Sequence, residues 1–337
     1  MDKKVGLEIY NDIATRTNGD LYIGVVGPVR TGKSTFISKF MENVVLPNIK
    51  NKNVKKRAID EMPQSADGKT VMTTQPKFVP NEAVKINFGN SVSANVRLID
   101  CVGYMVDGAK DNADEQPRMV NTPWSTEPIP FEKAAEIGTQ KVVGEHSTVA
   151  VIVTNDGTIT DIPRNNYVVA EERVILELKN LKKPFVIVLN SKNPQSNECK
   201  SIAEALELRH GVKVLPMSVN DMTTEESEQV LLALTEEFPI KKIVVDMPKW
   251  MRTLSTDNFI IDGVIKKIRT TVAEMSKMKD FSKFIQMVEE DEHLNSPGLD
   301  EIKLAEGTLN IPCNPRKAYF IRCSVVMLIK ILTMSMN

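Results

Sequence analysis

Residues 27–34 read GPVRTGKS, and this stretch decides the fold. The apolar run LYIGVV (21–26) precedes it, and TFISKFMENVV (35–45) follows it. The first run has the composition of a buried strand, whereas apolar residues in the second recur every three or four positions, as on one face of a helix. A lysine and a serine preceded by spaced glycines, between a strand and a helix, are the pattern of a phosphate-binding loop.

The residue types at this spacing suit a phosphate ligand. Gly27 and Gly32 lack a Cβ, so the backbone can wrap closely around phosphate oxygens. The N–H groups of such a loop form an anion-binding nest at the positive end of the helix dipole. We expect Lys33 to neutralise the β- and γ-phosphates of a nucleotide and the Ser34 hydroxyl to ligate Mg²⁺.

Three other residues in or next to this stretch are predicted to contact the nucleotide. They are Arg30, Thr31 and Thr35. For Arg30 two interpretations stay open, because an arginine in this loop can reach a phosphate or lie exposed to solvent.

A phosphate-binding loop predicts a carboxylate at the end of a neighbouring strand, and VRLIDCVG (96–103) supplies one. We expect Asp100 to hold Mg²⁺ through water and the Gly103 N–H to sense the γ-phosphate. The segment TVMTTQPKF (70–78) precedes this strand, and its Thr73 and Thr74 are expected to close over the phosphate, with Thr74 also a metal ligand. Tyr104 stands where a catalytic glutamine would follow, which predicts slow intrinsic turnover.

Strand patterns alternate with helical ones up to about residue 240, which predicts an α/β P-loop NTPase fold. We expect a mainly parallel sheet with helices on both faces, and an antiparallel hairpin ending at Asp100. Residues 46–80 have the composition of a long irregular segment. The predicted domains are residues 1–240 for the NTPase, 241–306 for the helix-rich start of an α+β domain, and 307–337 for a separate apolar tail.

Composition excludes little and favours a cytoplasmic globular protein. The net charge of −1 gives no reason to expect a nucleic-acid partner, and the basic run KNKNVKKR (50–57) is interpreted as a solvated loop rather than a binding patch. The four cysteines have no metal-ligand spacing, so reduced thiols are expected.

The motif order resembles the translation-factor-related GTPases, which recognise guanine through N-K-x-D at the end of a later strand. Here that strand ends in NSKN (190–193), with Ser191 at the lysine position and Asn193 at the aspartate position. A neutral amide lacks the two carboxylate acceptors that guanine requires, so ATP is the favoured nucleotide. Asn190 and Ser218 are predicted to border the base. The alternative is that guanine is recognised elsewhere.

Longer stretches are more specific than this general pattern. They are GVVGPVRTGKSTFISKFMENVVLPNI (24–49), ADGKTVMTTQPKFVP (66–80), RLIDCVGYMVDGA (97–109), RMVNTPWSTEPIPFEKAAEIGTQKV (118–142) and EHSTVAVIVTNDGTITDIPR (145–164). Over about residues 5–305 the chain resembles the stage IV sporulation protein A family, the ATPases of the spore-coat basement layer.

The resemblance implies ATP hydrolysis with Mg²⁺ and self-assembly into a homopolymer around the forespore, in the cytoplasm of the mother cell. It implies a small amphipathic forespore-membrane coat peptide and other coat morphogenetic proteins as partners. Carried over by position, Lys33 and Ser34 are the phosphate-loop pair, Asp100 is the Mg²⁺-side aspartate, and Thr73 and Thr74 are the sensor threonines.

The resemblance ends near Gly307, and the tail from 307 to 337 is interpreted as a truncated or frame-shifted end. That interpretation leaves open whether this chain makes peripheral membrane contact and polymerises fully. Two further hypotheses stay open for function: a GTPase switch of the ribosome-assembly type, and a scaffold that nucleotide stabilises without turnover.

Overall fold

A computed structural model of the chain describes residues 20–63, 75–88, 92–109, 118–240, 242–248, 259–291, 294–295, 301–303, 308–312, 314 and 316. The predicted sensor residues Thr73 and Thr74 lie outside these ranges. The chain divides into two compact units, Met1–Glu237 and Phe238–Asn337.

A six-stranded sheet forms the centre of the first unit. Its strands are β1 (Leu21–Val26), β2 (Lys77–Phe88), β3 (Val92–Asp100), β6 (Val149–Asn155), β7 (Phe185–Asn190) and β8 (Val214–Met217). The spatial order is β2-β3-β1-β6-β7-β8, and every neighbouring pair is parallel except the antiparallel β2–β3 hairpin. β6 and β7 are buried along their whole length, which explains their unbroken apolar sequences.

Helices follow the strands in the order that the alternating pattern predicts. They are α1 (Lys33–Phe40), α2 (Lys52–Asp60), α3 (Phe131–Lys141), α4 (Arg164–Asn180), α5 (Asn197–His210) and α6 (Thr224–Glu236). The α/β P-loop NTPase fold predicted from the sequence is thereby confirmed. A short hairpin, β4 (Met119–Thr122) with β5 (Ser125–Pro130), precedes α3.

Two predictions about local structure are wrong. The segment 46–80 is not irregular throughout, because α2 forms within it and carries most of the basic run. Asn51 caps this helix by accepting hydrogen bonds from the N–H groups of Asn53 and Val54. Ala58 is a buried residue of the same helix. The basic run 50–57, interpreted as a solvated loop, is helical from Lys52 onward.

Strand register brings the polar ends of the sheet together at one edge. Val25 lies opposite Asp100 on β3, Asn155 lies opposite Asn190, and Asn190 lies opposite Met217. Because β3, β1, β6, β7 and β8 are parallel, their carboxyl ends lie at the edge of the sheet where the loop between β1 and α1 begins. In open α/β sheets, ligands bind at this edge.

The second unit contains a three-stranded sheet and two longer helices. The elements are β9 (Lys242–Asp246), α7 (Phe259–Glu274), α8 (Phe281–Glu290), β10 (Glu301–Lys303) and β11 (Thr308–Pro312). The strand order is β10-β11-β9, with β9 parallel and β10 antiparallel to β11. Within the described part of the chain, no helix has both the length and the apolar character that crossing a bilayer requires.

Candidate phosphate-binding site

The loop between β1 and α1 has the backbone conformation that its glycines predict. Gly27 has φ 135°, Arg30 has φ 60° and Gly32 has φ 94°. A Cβ on Gly27 would lie 2.4 Å from the carbonyl oxygen of Val153, and one on Gly32 would lie 2.6 Å from Asn190 Nδ2. Side chains at these two positions would therefore collide with the neighbouring strands or their ends.

Lys33 and Asp100 form the charged centre of the site; Lys33 is buried, and Asp100 is half-buried with its Oδ1 atom enclosed. The Lys33 side chain donates a hydrogen bond of 2.5 Å from Nζ to the carbonyl oxygen of Pro28. Burial lowers the pKa of Lys33, an effect that the nearby Cys101 and Asp100 oppose. Burial raises the pKa of Asp100, and the charge of Lys33 and a hydrogen bond from Ser34 oppose that shift.

One oxygen of Asp100 has no hydrogen-bond partner among the described residues. Ser34 Oγ donates to Asp100 Oδ2 at 3.0 Å, while Oδ1 is buried and accepts no hydrogen bond from the described residues. A buried carboxylate oxygen without a partner is costly unless something else binds it. Carboxylate and hydroxyl oxygens are ligands that Mg²⁺ prefers, so the pair fits a magnesium ion.

The segment after Asp100 is held against the loop by two backbone hydrogen bonds. Tyr104 N donates to the Gly27 carbonyl at 3.2 Å, and Val29 N donates to the Tyr104 carbonyl at 2.9 Å. A Cβ on Gly103, which has φ 95°, would lie 2.6 Å from Lys33 Nζ. The N–H of Gly103, expected to sense a phosphate, donates to Thr139 Oγ1 on α3 at 3.2 Å.

The Tyr104 side chain joins this segment to the helices behind it. Its hydroxyl donates to Glu177 Oε2 at 2.5 Å, and the Arg173 guanidinium carbon lies 4.5 Å from its ring centroid. Arg173 also pairs with Glu136 of α3 and Glu177 of α4. Burial and the neighbouring Glu177 both raise the pKa of Tyr104, so its hydroxyl stays protonated.

At the other end of the same sheet edge, the side chains of Asn190, Ser191 and Ser218 are hydrogen-bonded within the protein. Asn190 Nδ2 donates to the Thr31 carbonyl at 3.0 Å, and Asn190 Oδ1 accepts from Val219 N at 3.1 Å. Ser191 is buried and accepts from Asn193 N at 3.0 Å. The Ser218 hydroxyl donates to Asp221 Oδ2 at 2.7 Å.

The structure therefore assembles most of the predicted residues but uses some of them differently. Lys33, Ser34, Asp100 and Gly103 meet around the loop, whereas the amide of Asn190 is bonded at both ends to backbone. The Thr31 hydroxyl donates within the loop to the Pro28 carbonyl at 2.9 Å, and Thr35 lies half-buried in the first turn of α1.

Sequence reasoning missed Thr139 and the group formed by Glu136, Arg173 and Glu177. These residues lie in amphipathic helices, where a threonine or a charged residue is ordinary. Only the alternation that predicts α3 and α4 was visible in the sequence, and nothing in it pointed to contacts with residues 103 and 104.

Comparisons with known proteins identify the family of the chain. The family model for the stage IV sporulation protein A ATPase domain matches residues 3–239, and that for the middle domain of the same proteins matches residues 240–331. The second match includes most of the tail from residue 307, which the sequence analysis separates from the family; the interpretation of the tail stays a prediction.

Curated relatives carry the same name. Stage IV sporulation protein A of Clostridioides difficile (strain 630) is 48% identical over 313 residues, which are 93% of this chain and 64% of that protein. The Bacillus subtilis (strain 168) protein is 48% identical over 306 residues, 90% of this chain and 62% of its own length. The Bacillus anthracis protein is 45% identical over 306 residues. The chain thus spans less than two thirds of these relatives.

A domain model that matches most of the chain, and relatives of this identity, agree with the resemblance read from the motifs. The chain belongs to the stage IV sporulation protein A family.

Proposed function

We propose that the first unit binds and hydrolyses ATP, breaking the β–γ phosphoanhydride bond with Mg²⁺ at Ser34 and Asp100. The observation that carries this proposal is the buried Asp100 Oδ1, which has no partner among the described residues and lies on a carboxylate bonded to Ser34. The match to an ATPase domain supports nucleotide hydrolysis.

The roles follow from position. N–H groups of the loop from Gly27 to Ser34 bind phosphate oxygens, and the Lys33 ammonium leaves the Pro28 carbonyl for the β- and γ-phosphates. When bound, Mg²⁺ supplies positive charge that stabilises the phosphate oxygens during bond cleavage. Thr73 and Thr74, which lie outside the described residues, are proposed to close over the γ-phosphate, with Thr74 toward the metal.

The water that attacks the γ-phosphate receives no help from Tyr104. The Tyr104 hydroxyl donates a hydrogen bond to Glu177, and the Tyr104 ring lies under Arg173. Catalysis in this proposal is positioning and charge neutralisation alone, so turnover is slow.

Adenine is the base that the loop 190–193 supports. Guanine recognition needs a carboxylate at the position of Asn193, and the side chain there is an exposed amide. Ser191 is buried and accepts a bond from the loop backbone, so it does not replace the missing charge. Asn190 acts on the nucleotide through the loop conformation, since both ends of its amide bind backbone.

Phosphate release from Mg·ATP tests the proposal. Wild type is expected to release phosphate slowly, and Lys33→Ala to release at least about 100-fold less, because the charge on the transferred phosphate loses its neutralising partner. Lys39→Ala, on the exposed side of the same helix, is the matched control and keeps the wild-type rate. Equal rates for wild type and Lys33→Ala would remove the enzymatic proposal.

Two alternatives have distinct outcomes in the same assay. A GTPase switch would hydrolyse Mg·GTP faster than Mg·ATP. A scaffold that nucleotide only stabilises would bind Mg·ATP and gain thermal stability while releasing no phosphate.

Family membership supports a wider proposal for the whole protein. We propose that it self-assembles into the spore-coat basement layer around the forespore, in the cytoplasm of the mother cell. Its proposed partners are copies of itself, a small amphipathic coat peptide on the forespore membrane and other coat morphogenetic proteins. Sedimentation of the full chain with ATP, GTP or no nucleotide tests assembly: ATP-specific pelleting that Lys33→Ala abolishes is expected, and equal pelleting under all conditions would contradict it.

A further inference from the structure

Thr139 lies on α3, outside every motif of the phosphate site, yet it contacts that site. Its side chain is fully buried. Its Oγ1 donates to the Ala135 carbonyl at 2.8 Å, one helical turn back, and accepts the N–H of Gly103 at 3.2 Å. The hydroxyl hydrogen has the Ala135 carbonyl as its near acceptor and Cys101 Sγ, at 3.8 Å, as a weaker one. The Gly103 N–H binds a lone pair of the same oxygen.

Gly103 lies beside the ammonium group of Lys33, which binds the β- and γ-phosphates in the proposed function. A Cβ on Gly103 would lie 2.6 Å from Lys33 Nζ and 2.2 Å from the Gly27 carbonyl oxygen, so the Gly103 backbone is close to both groups. One N–H therefore has two acceptors within reach of small movements: the hydroxyl oxygen of Thr139, and an oxygen of a γ-phosphate held by Lys33. An amide makes one strong hydrogen bond, so the two acceptors compete.

We propose that Thr139 is a positioning residue that sets how strongly the site prefers a nucleoside triphosphate over a diphosphate. This inference rests on the proposed function. A triphosphate takes the Gly103 N–H from Thr139, whereas a diphosphate leaves that bond in place. The charged phosphate oxygen is the stronger acceptor, and the Thr139 hydroxyl keeps its bond to Ala135 after the exchange.

The exchange also couples binding of the terminal phosphate to contacts on helices α3 and α4. Thr139 lies one turn from Glu136, which pairs with Arg173 of α4. Arg173 in turn covers Tyr104, the residue after Gly103. Movement of the Gly103 backbone toward phosphate thus changes contacts on both α3 and α4.

Thr139→Val tests the inference, because valine keeps the branched shape and removes the acceptor. Calorimetry would compare ADP with the non-hydrolysable β,γ-imido analogue of ATP, both with Mg²⁺. In the variant the Gly103 N–H has no competing acceptor, so the preference for the triphosphate analogue over ADP is expected to rise about threefold to tenfold. Thr139→Ser keeps the oxygen and is expected to keep the wild-type ratio.

A purely structural role for Thr139 would change folding or both affinities equally, leaving the ratio within about twofold of wild type; that outcome overturns the inference. Should Thr139→Val not fold, the amide proton shift of Gly103 in wild type decides. The shift is expected to change with the imido analogue and not with ADP, and equal shifts would overturn the inference. A wild type that binds neither nucleotide would instead overturn the proposed function, so the two failures are distinguishable.

Discussion

The sheet edge where we propose that nucleotide binds has two ends, and their polar side chains differ in their hydrogen bonds. The phosphate end is formed by residues 27–34 and 100–104. There, Lys33 has a hydrogen bond that a ligand can replace, and Asp100 Oδ1 accepts no hydrogen bond from the described residues. At the base end, formed by residues 190–193 and 217–221, the described side-chain bonds go to the protein itself. Asp100 Oδ1 is unpaired within the described structure, whereas both ends of the Asn190 amide are bonded to backbone.

The difference indicates that the phosphate end is suited to bind a ligand, whereas the base end has a structural role. Burying Lys33 and Asp100 costs free energy that a phosphate and a cation can recover, so the phosphate end is built to exchange partners. Asn190 joins the carbonyl of Thr31 to the N–H of Val219, so it fixes the distance between the two ends. Substitutions at the two ends should therefore change different measured quantities.

The largest expected effect is on stability at the base end. Asn190→Ala removes two buried hydrogen bonds and leaves their backbone partners unsatisfied, which is expected to cost about 2–4 kcal/mol in the free energy of unfolding. Chemical denaturation measures it. Asn193→Ala, at an exposed position of the same loop, is the control and should stay within about 0.5 kcal/mol. If the two variants unfold alike, Asn190 does not join the two ends.

At the phosphate end the expected effect is on metal dependence. Asp100→Asn keeps an acceptor for Ser34 but removes the carboxylate charge. The Mg²⁺ concentration for half-maximal ATP hydrolysis is expected to rise about 10- to 100-fold. Asp107→Asn, at an exposed position of the same segment, is the control. An unchanged Mg²⁺ requirement in Asp100→Asn would place the metal elsewhere.

Asn193→Asp sharpens the comparison by adding a carboxylate to the base end. The new acceptor suits the two donors of guanine, so GTP affinity relative to ATP is expected to rise about tenfold. Competition titrations with both nucleotides measure the ratio. Asn193→Gln adds length without charge and should leave it unchanged. A wild type that already prefers GTP would show that guanine is recognised by other residues.

The smallest expected effect concerns the link from the phosphate end to the helices. Tyr104→Phe keeps the ring under Arg173 but loses the hydrogen bond to Glu177, at a cost of about 1 kcal/mol in unfolding free energy. Thermal unfolding with and without Mg·ATP would show whether this cost is present in both conditions. A variant as stable as wild type would mean that the bond contributes nothing.

The phosphate end was predictable from sequence because its requirements are local. Strand, glycine-containing loop, lysine, serine and helix follow one another within residues 21–45, and Asp100 ends an apolar strand. The backbone geometry confirms the glycine argument at Gly27 and Gly32. Local sequence thus carries the information that this part of the fold needs.

The contacts of Thr139 and the double bond of Asn190 depend instead on residues far apart in the chain. Thr139 meets a residue 36 positions away, and Asn190 meets one 159 positions away. Periodicity predicts the helix and the strand but not which side chain faces which loop.

The most direct test of the central claim, that this sheet edge holds the triphosphate of ATP, is a calorimetric titration with Mg·ATP. The account predicts saturable binding of one nucleotide per chain to wild type and to Lys39→Ala, and its loss in Lys33→Ala. Equal binding heats in Lys33→Ala and wild type, or tight binding of Mg·GTP with no heat from Mg·ATP, would contradict it.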